Sequence, residues 1–208
     1  VKDAGTYYVF VDAANAATGG PTATYNLSVS TFAADAGYVN YPYTGAATAI
    51  TNPGSITSTI TIPDSKIIKD ISVRLNITHA LMADIDATLT SPGGNVIQLF
   101  TDIGAAATGG QTQMDLVLND NNAVPPTFTV LKGVAVQPEL QGHLDYFRGM
   151  NTAGTWTLTL YDDGSNASAG TLNGWSLDVL EDATITQLQT SPNSVAIYNQ
   201  DFEANDGG

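Results

Sequence analysis

Hydrophobic positions recur at every second residue along much of the chain, and this alternation predicts β-strands. The clearest segment is KIIKDISVRLNITHA, in which Ile71, Val73, Leu75 and Ile77 share one face and polar residues occupy the other. Two later segments, TWTLTLYD and GWSLDVL, repeat the pattern, and each carries a tryptophan at an apolar position. Strong helix signals are absent. Short strands separated by Gly, Pro and Asn turns predict an all-β fold, an antiparallel sandwich.

The same pattern divides the chain into four predicted segments. Residues 1–32 contain two alternating strands, which are marginal in water on their own, so we expect them to end a preceding domain. Residues 33–42 are predicted to be a linker and residues 43–181 the sandwich. Residues 182–208 are predicted to be a linker and the start of a following module. Because no signal peptide is visible and the first residues resemble a strand in mid-domain, we expect the sequence to be a piece of a larger protein.

Charge and composition narrow the range of partners. The chain has 20 acidic and 6 basic residues, a formal charge of −14. Because phosphate backbones require a basic surface, neither nucleic acid nor an anionic membrane is expected as a partner, and no apolar run is long enough for membrane insertion. The absence of cysteine excludes disulfides, thiolate nucleophiles and zinc–thiolate sites. The low content of charged residues, 12%, is typical of exported β-rich proteins.

Motifs of hydrolytic enzymes are missing, so the prediction for catalytic residues is none. The sequence contains no G-x-S-x-G, no subtilisin-type Gly-Thr-Ser-Met-Ala and no H-E-x-x-H. Only His79 and His143 could act as bases. His79 is interpreted as a structural ring that ties a strand end to the next loop by hydrogen bonds, and His143 as a surface or packing residue.

The two tryptophans allow two interpretations. Aromatic side chains on a β-sandwich can form a platform for sugars, but they can also fill the core. Trp156 shares its face with Leu158 and Leu160, and Trp175 shares its face with Leu177 and Val179. This periodicity favours structural core positions for both rings.

Acidic residues in three predicted loops are the one candidate binding site. Calcium takes six to eight oxygens from carboxylates, amide carbonyls and backbone, and a sandwich can bring loops together at one end. The alternative is that these are solvated, turn-forming residues, and no contiguous EF-hand loop exists. The predicted Ca²⁺ ligands are Asp84, Asp86, Asp115, Asn119, Asp120, Asp162 and Asp163.

Several motifs occur together in the order typical of one family. They are a strand ending in ITH, a following aspartate, the turn LTSPGGN, a central FRG and the closing segment AGTWTLTLYDDG…GTLNGWSLDV. Together they resemble the P domain, or P/Homo B domain, of kexin-like and furin-like proprotein convertases and of secreted bacterial peptidases. The resemblance covers residues 43–181 and implies a non-catalytic jelly-roll β-sandwich beside a catalytic domain. Residues 1–32 resemble the last strands of the pre-peptidase C-terminal domain.

Two functions follow from this resemblance and from the residues. The first is an accessory module of a larger secreted bacterial serine or metallo endopeptidase. Such a module would stabilise the neighbouring catalytic domain or contact protein substrate, with calcium bracing its loops. The second is an adhesion or carbohydrate-binding module of a cell-surface protein, whose partner would be a polysaccharide. Both imply a secreted or cell-surface location.

Overall fold

A computed structural model describes five ranges of the chain, namely residues 37–104, 112–122, 131–139, 143–164 and 169–184. The predicted end of a preceding domain, residues 1–32, lies outside the described residues, as does nearly all of the predicted tail. No helix in the described ranges has the length and apolar character needed to cross a membrane.

Within these ranges the chain forms strands and two short 3-10 helices, Met82–Asp84 and Leu144–Phe147. In chain order the strands are β1 (Tyr38–Pro42), β2 (Thr48–Ile50), β3 (Gly54–Ile62), β4 (Ile68–His79), β5 (Ile85–Thr90), β6 (Val96–Phe100), β7 (Gln113–Leu118), β8 (Lys132–Val136), β9 (Gly154–Asp162) and β10 (Gly170–Glu181).

The strands form two sheets. The first has the order β1-β10-β4-β7-β8, and β2 also pairs with β10; the second has the order β3-β9-β5-β6. Pairing is antiparallel except between β7 and β8, which are parallel. The chain crosses repeatedly from one sheet to the other, as in a jelly roll, and the two sheets bury a common core. The predicted all-β sandwich is confirmed.

The start of the sandwich differs from the prediction. Residues 38–42, which the pattern assigns to the linker, form β1 and pair with β10 from Leu180 to Ser176. The strand is short and ends in Pro42, so its sequence alone is typical of a linker. Its place at the edge of the sheet tolerates the proline, because an edge strand needs ladder hydrogen bonds on one side only.

Both tryptophans lie inside the sandwich. Trp156 is 0% exposed, and its ring meets Phe147 edge-on, with centroids 5.0 Å apart and planes at 84°. Its indole N–H donates to the Thr152 carbonyl oxygen at 2.9 Å. The N–H of Trp175 donates to the Ser58 hydroxyl, 2.8 Å away on the opposite sheet. With both polar atoms paired internally, neither ring is presented to a sugar.

The outer face of the second sheet is lined by threonine. The strand register aligns the outward positions in four rows across the sheet. We call this surface the threonine face. Its rows are Ser55–Tyr161–Asp86, Thr57–Thr159–Thr88–Gln98, Thr59–Thr157–Thr90–Val96 and Thr61–Thr155.

Candidate functional site

His79 closes β4 with a ring that is fully enclosed. Its side chain is 0% exposed, and Nε2 lies 2.9 Å from Oδ2 of Asp162. Its other nitrogen, Nδ1, lies 2.6 Å from the carbonyl oxygen of Leu81. The ring therefore links the end of β4 to the loop that follows and to the end of β9. Both ring nitrogens are engaged, and a general base needs a nitrogen within reach of a reacting group.

Asp162 is also 0% exposed and is a structural partner of His79. Besides the histidine, Oδ2 accepts a hydrogen bond from the side-chain amide of Asn52 at 2.9 Å. The other oxygen, Oδ1, accepts from the backbone N–H of Gly164 at 3.0 Å. The sequence predicts Asp162 as a calcium ligand, but in the structure both of its oxygens already have protein donors.

Gly170 provides the space that the histidine ring occupies. It is the Cα partner of His79 in the pairing of β10 with β4. A Cβ atom at this position would collide with Cδ2 of the ring. Glycine weakens a strand and often marks a close approach of another group, and here that group is a buried imidazole. The sequence does not predict this pairing, because the predicted strand GWSLDVL begins only at Gly174, whereas β10 begins at Gly170.

Next to this pair, acidic side chains meet at one edge of the sandwich. We call the group Asp84, Asp86, Asp102, Glu139 and Asp163 the acidic edge. The backbone N–H of Asp163 donates to the carbonyl oxygen of Asp84 at 3.1 Å. Glu139 is held in place because Oε2 accepts from the backbone N–H and the hydroxyl of Thr101, at 2.6 and 2.9 Å. Neither Asp102 nor Glu139 belongs to the predicted site, because each lies outside the loops considered from the sequence.

The acidic edge is electrostatically unfavourable as it stands. Burial, together with repulsion from Asp102 and Asp163, raises the pKa of Asp86. Burial, together with repulsion from Asp163, Glu139 and Asp84, raises the pKa of Asp102. Oδ2 of Asp84 and Oδ1 of Asp86 are buried and have no hydrogen-bond partner within the described ranges. Among the described residues, however, no three His, Asp or Glu side chains have the spacing of a preformed metal site.

The seven predicted calcium ligands do not meet at one end. Asp84, Asp86, Asp162 and Asp163 lie at the His79 end, whereas Asp115 lies within β7, with Asn76 and Lys132 as its Cα partners. Because β7 runs antiparallel to β4, Asn119 and Asp120 follow β7 at the opposite end. The nine residue steps from Asp70 to His79 span about 30 Å along β4. The structure therefore does not bring Asp115, Asn119 and Asp120 together with the other four predicted ligands.

At the opposite end, Asn119 supports a buried carboxylate. Asp70 is 8% exposed and accepts hydrogen bonds from the side-chain amides of Asn119 and Asn121, each at 3.1 Å. The backbone N–H of Ile71 donates to it at 2.8 Å, and the hydroxyl of Tyr38 is a further donor. Asn119 thus directs its amide nitrogen, which cannot bind a cation, towards the carboxylate. The network ties β1 and the loop after β7 to β4.

Asp120 and His143 lie beside this network. Oδ2 of Asp120 accepts from the backbone N–H of Asp145 at 2.6 Å, and Oδ1 is buried without a hydrogen-bond partner in the part of the chain that the structure describes. The His143 side chain is 76% exposed and its Nδ1 lies 4.0 Å from Asp120. His143 therefore lies at the surface. Its neighbour Asp120 already accepts a hydrogen bond from the backbone of Asp145.

Comparison with known proteins gives one family and a set of distant structures. The sequence profile of the proprotein convertase P-domain matches residues 68–179, just over half of the chain. No curated protein matches. Among solved structures, a serine protease of Aeromonas sobria is similar at 18% identity and a TM-score of 0.42, covering 69% of this chain and 26% of that one.

Two further structures are similar. A complex of the Aeromonas sobria serine protease with a chaperone has 17% identity and a TM-score of 0.43, again covering 69% of this chain and 26% of that one. The VP2 subviral particle of infectious bursal disease virus has 16% identity and a TM-score of 0.24, covering 72% of this chain and 43% of that one. This chain thus spans about a quarter of the length of the protease.

Proposed function

Because this chain belongs to the proprotein convertase P-domain family, a family of non-catalytic accessory domains, we propose that it is an accessory module of a larger, secreted bacterial peptidase. The family match carries the proposal, since it runs from the start of β4 nearly to the end of β10. The enclosed His79 supports a structural role for the residue that best resembled a catalytic base. The parent enzyme in this proposal is a serine or metallo endopeptidase.

The module acts in this proposal by stabilising the catalytic domain, and it also offers a surface for protein substrate. A domain that contacts only the native form of its neighbour shifts the folding equilibrium of that neighbour towards the folded state. Interfaces of this kind between domains of one chain are of moderate size and partly polar. Such a role requires a rigid module and no catalytic groups.

Deleting residues 38–181 from the parent enzyme is expected to lower its folding yield and its half-life at elevated temperature. The deletion begins at Tyr38 because β1 belongs to the sandwich. The specific activity of the molecules that do fold is expected to change little. Soluble yield, residual activity after heating and kcat/KM of the purified enzyme measure the three effects. Unchanged yield and heat resistance would contradict the stabilising role.

The proposal also includes a calcium ion that binds at the acidic edge and stabilises the domain. Asp84 and Asp86 each have a buried oxygen without a partner, and like charges raise the pKa values of Asp86 and Asp102. A divalent cation would bind these oxygens and relieve the repulsion, with backbone oxygens and water completing six to eight ligands. The ligands proposed here are Asp84, Asp86, Asp102 and Asp163. Asp102 is added to the set predicted from the sequence, and Asp162 is excluded because its oxygens are already bonded.

The gain in the free energy of unfolding expected from calcium binding is modest, as for a structural ion. Extracellular calcium modules bind with Kd of about 10⁻⁴–10⁻³ M. With about 1 mM free calcium and Kd of about 10⁻⁴ M, binding adds about 1.4 kcal/mol to the free energy of unfolding. For a chain of this length that corresponds to a rise in Tm of about 3–6 °C.

Thermal unfolding in calcium and in excess EGTA tests calcium binding at the acidic edge. The informative variant is Asp86→Asn. A carboxyl group with a raised folded-state pKa adds stability below its unfolded pKa and loses that contribution as the pH rises through the folded pKa. The burial and repulsion that raise the pKa of Asp86 therefore destabilise the calcium-free domain once this carboxyl group loses its proton. Asp86→Asn is expected to raise Tm in EGTA and to abolish the calcium response.

Asp120→Asn is the matched control, because Asp120 also has a buried oxygen without a partner but lies at the other end of the sandwich. Its calcium response is expected to equal that of the unaltered chain. Identical melts in calcium and EGTA would refute calcium binding. Loss of the response in Asp120→Asn, with Asp86→Asn unaffected, would refute the site.

A further inference from the structure

The threonine face is a regular array of hydroxyl and methyl groups. Neighbouring strands in a sheet lie about 4.8 Å apart, and alternate residues along one strand lie about 6.8 Å apart. The register of β3, β9, β5 and β6 aligns the outward side chains in rows with these spacings. The surface therefore presents the same two chemical groups at nearly constant intervals in two directions.

Most of these hydroxyls have no hydrogen-bond partner in the described part of the chain. Thr61 and Thr155 share one hydrogen bond, with their oxygens 3.3 Å apart. Among the described residues, the hydroxyls of the other threonines in the array form no hydrogen bond with protein atoms. A threonine hydroxyl can donate one hydrogen bond and accept two, so the face has a large unused capacity for both roles.

The face is nearly uncharged, although the chain carries a formal charge of −14. Its only charged residue is Asp86, in the row at one end. The outward positions of the other sheet include Arg74 and Asp115. Threonine is favoured in strands generally, but that preference acts on both sheets. This preference does not explain why three successive rows of the threonine face carry no charge, while the outer face of the other sheet does carry charged residues.

Two exposed apolar side chains stand at the margins of the array. Tyr161 is 44% exposed, in the row that contains Asp86, and Val96 is 58% exposed, on the outermost strand β6. An exposed tyrosine offers a flat apolar ring with a hydroxyl at its tip. A folded protein partner would favour an apolar or aromatic centre with a polar rim, and the threonine face has the reverse arrangement.

We propose that the threonine face binds an extended, uncharged polysaccharide. Hydroxyl groups of successive sugars would exchange hydrogen bonds with the threonine rows, and the C–H faces of the rings would cover the threonine methyls and the Tyr161 ring. Each contact is weak, but a polymer engages many rows at once and gains affinity from the repetition. The chain's negative charge disfavours polyanionic chains. This binding is independent of the role beside a peptidase and would hold the module at an insoluble substrate.

Two binding measurements test the proposal. The first is retention of the 208-residue chain on insoluble cellulose and chitin, and the second is its retardation in gels containing soluble neutral glucans. Alginate serves as the charged polymer. Binding to at least one neutral polysaccharide and none to alginate is expected. The double variant Thr57→Glu/Thr59→Glu is expected to weaken binding about tenfold or more. Tyr161→Ala should weaken it as well.

A matched variant keeps the test specific. Asn76→Glu/Asn173→Glu adds the same charge at exposed positions on the other sheet and is expected to bind like the unaltered chain. Thermal melts of every variant confirm that it is folded. Lack of binding to all neutral polysaccharides overturns the proposal, as does equal weakening by both double variants. If a protein domain occupies the face instead, Thr57→Glu/Thr59→Glu will destabilise the parent enzyme while no polysaccharide is retained, which also overturns it.

Discussion

Replacing Asp162 by alanine is expected to destabilise the domain by about 3 kcal/mol or more. The substitution leaves three donors without an acceptor, namely Nε2 of His79, the side-chain amide of Asn52 and the backbone N–H of Gly164. Each buried donor that loses its partner costs about 1–3 kcal/mol. The free energy of unfolding from denaturant titration measures the effect, and such a loss is a large fraction of the stability of an ordinary domain.

Asp64→Ala is the control, because it removes an aspartate at an exposed position beyond the other end of β3, away from Asp162 and from the acidic edge. The change in its free energy of unfolding is expected to stay within about 0.5 kcal/mol, as for most surface substitutions. If both variants lose the same stability, the buried pair is not what holds the end of β9. If Asp162→Ala is as stable as the unaltered chain, water has replaced the carboxylate and the structural role assigned to the pair is wrong.

The parts of the fold that were predictable from sequence are those fixed by local periodicity. In β4, Ile71, Val73, Leu75 and Ile77 are all buried, as their alternation predicts, because a strand directs alternate side chains to opposite faces. The tryptophan strands follow the same rule. Strand β1 does not, since five residues ending in proline form a strand only through pairing with β10, more than a hundred residues away.

Buried aspartates mark the limit of the prediction. Asp162 precedes a turn and Asp70 lies near the start of an alternating strand, and nothing local distinguishes either from a solvated carboxylate. The donors that allow their burial come from distant parts of the chain, His79 being 83 residues from Asp162 and Asn119 being 49 residues from Asp70. Burying a charge without such partners is strongly unfavourable, so an isolated sequence pattern favours an exposed position or a metal site.

Only part of the acidic edge could be predicted from the sequence, for a related reason. Asp84 and Asp163 follow strands and Asp86 lies at the start of β5, and this pattern indicates a cluster at one edge. Which further loops reach the same edge depends on strand direction: β7 carries Asn119 away from it, and the segment after β6 brings Asp102 towards it. The alternating threonines were likewise visible in single strands, but only the register between strands shows that they form one surface.

Replacing Trp156 by alanine is expected to lower the free energy of unfolding by about 3–5 kcal/mol, as for other fully buried tryptophans. The ring is 0% exposed, packs edge-on against Phe147 and donates its N–H to Thr152. Trp156→Phe retains much of the ring volume and loses the hydrogen bond, so its expected loss is nearer to about 1 kcal/mol from the missing bond, plus a packing term. Denaturant titration of both variants measures the difference.

Tyr161 lies on the same strand as Trp156 but faces outward, so Tyr161→Ala distinguishes a core aromatic from a surface one. Its expected change in the free energy of unfolding stays within about 0.5 kcal/mol, while its binding to neutral polysaccharide falls. The opposite pattern, a stable Trp156→Ala that loses polysaccharide binding, would make the tryptophan a sugar platform and contradict its place in the core. Trp156→Ala therefore tests the contribution of a core aromatic to stability, and Tyr161→Ala tests the contribution of a surface aromatic to polysaccharide binding.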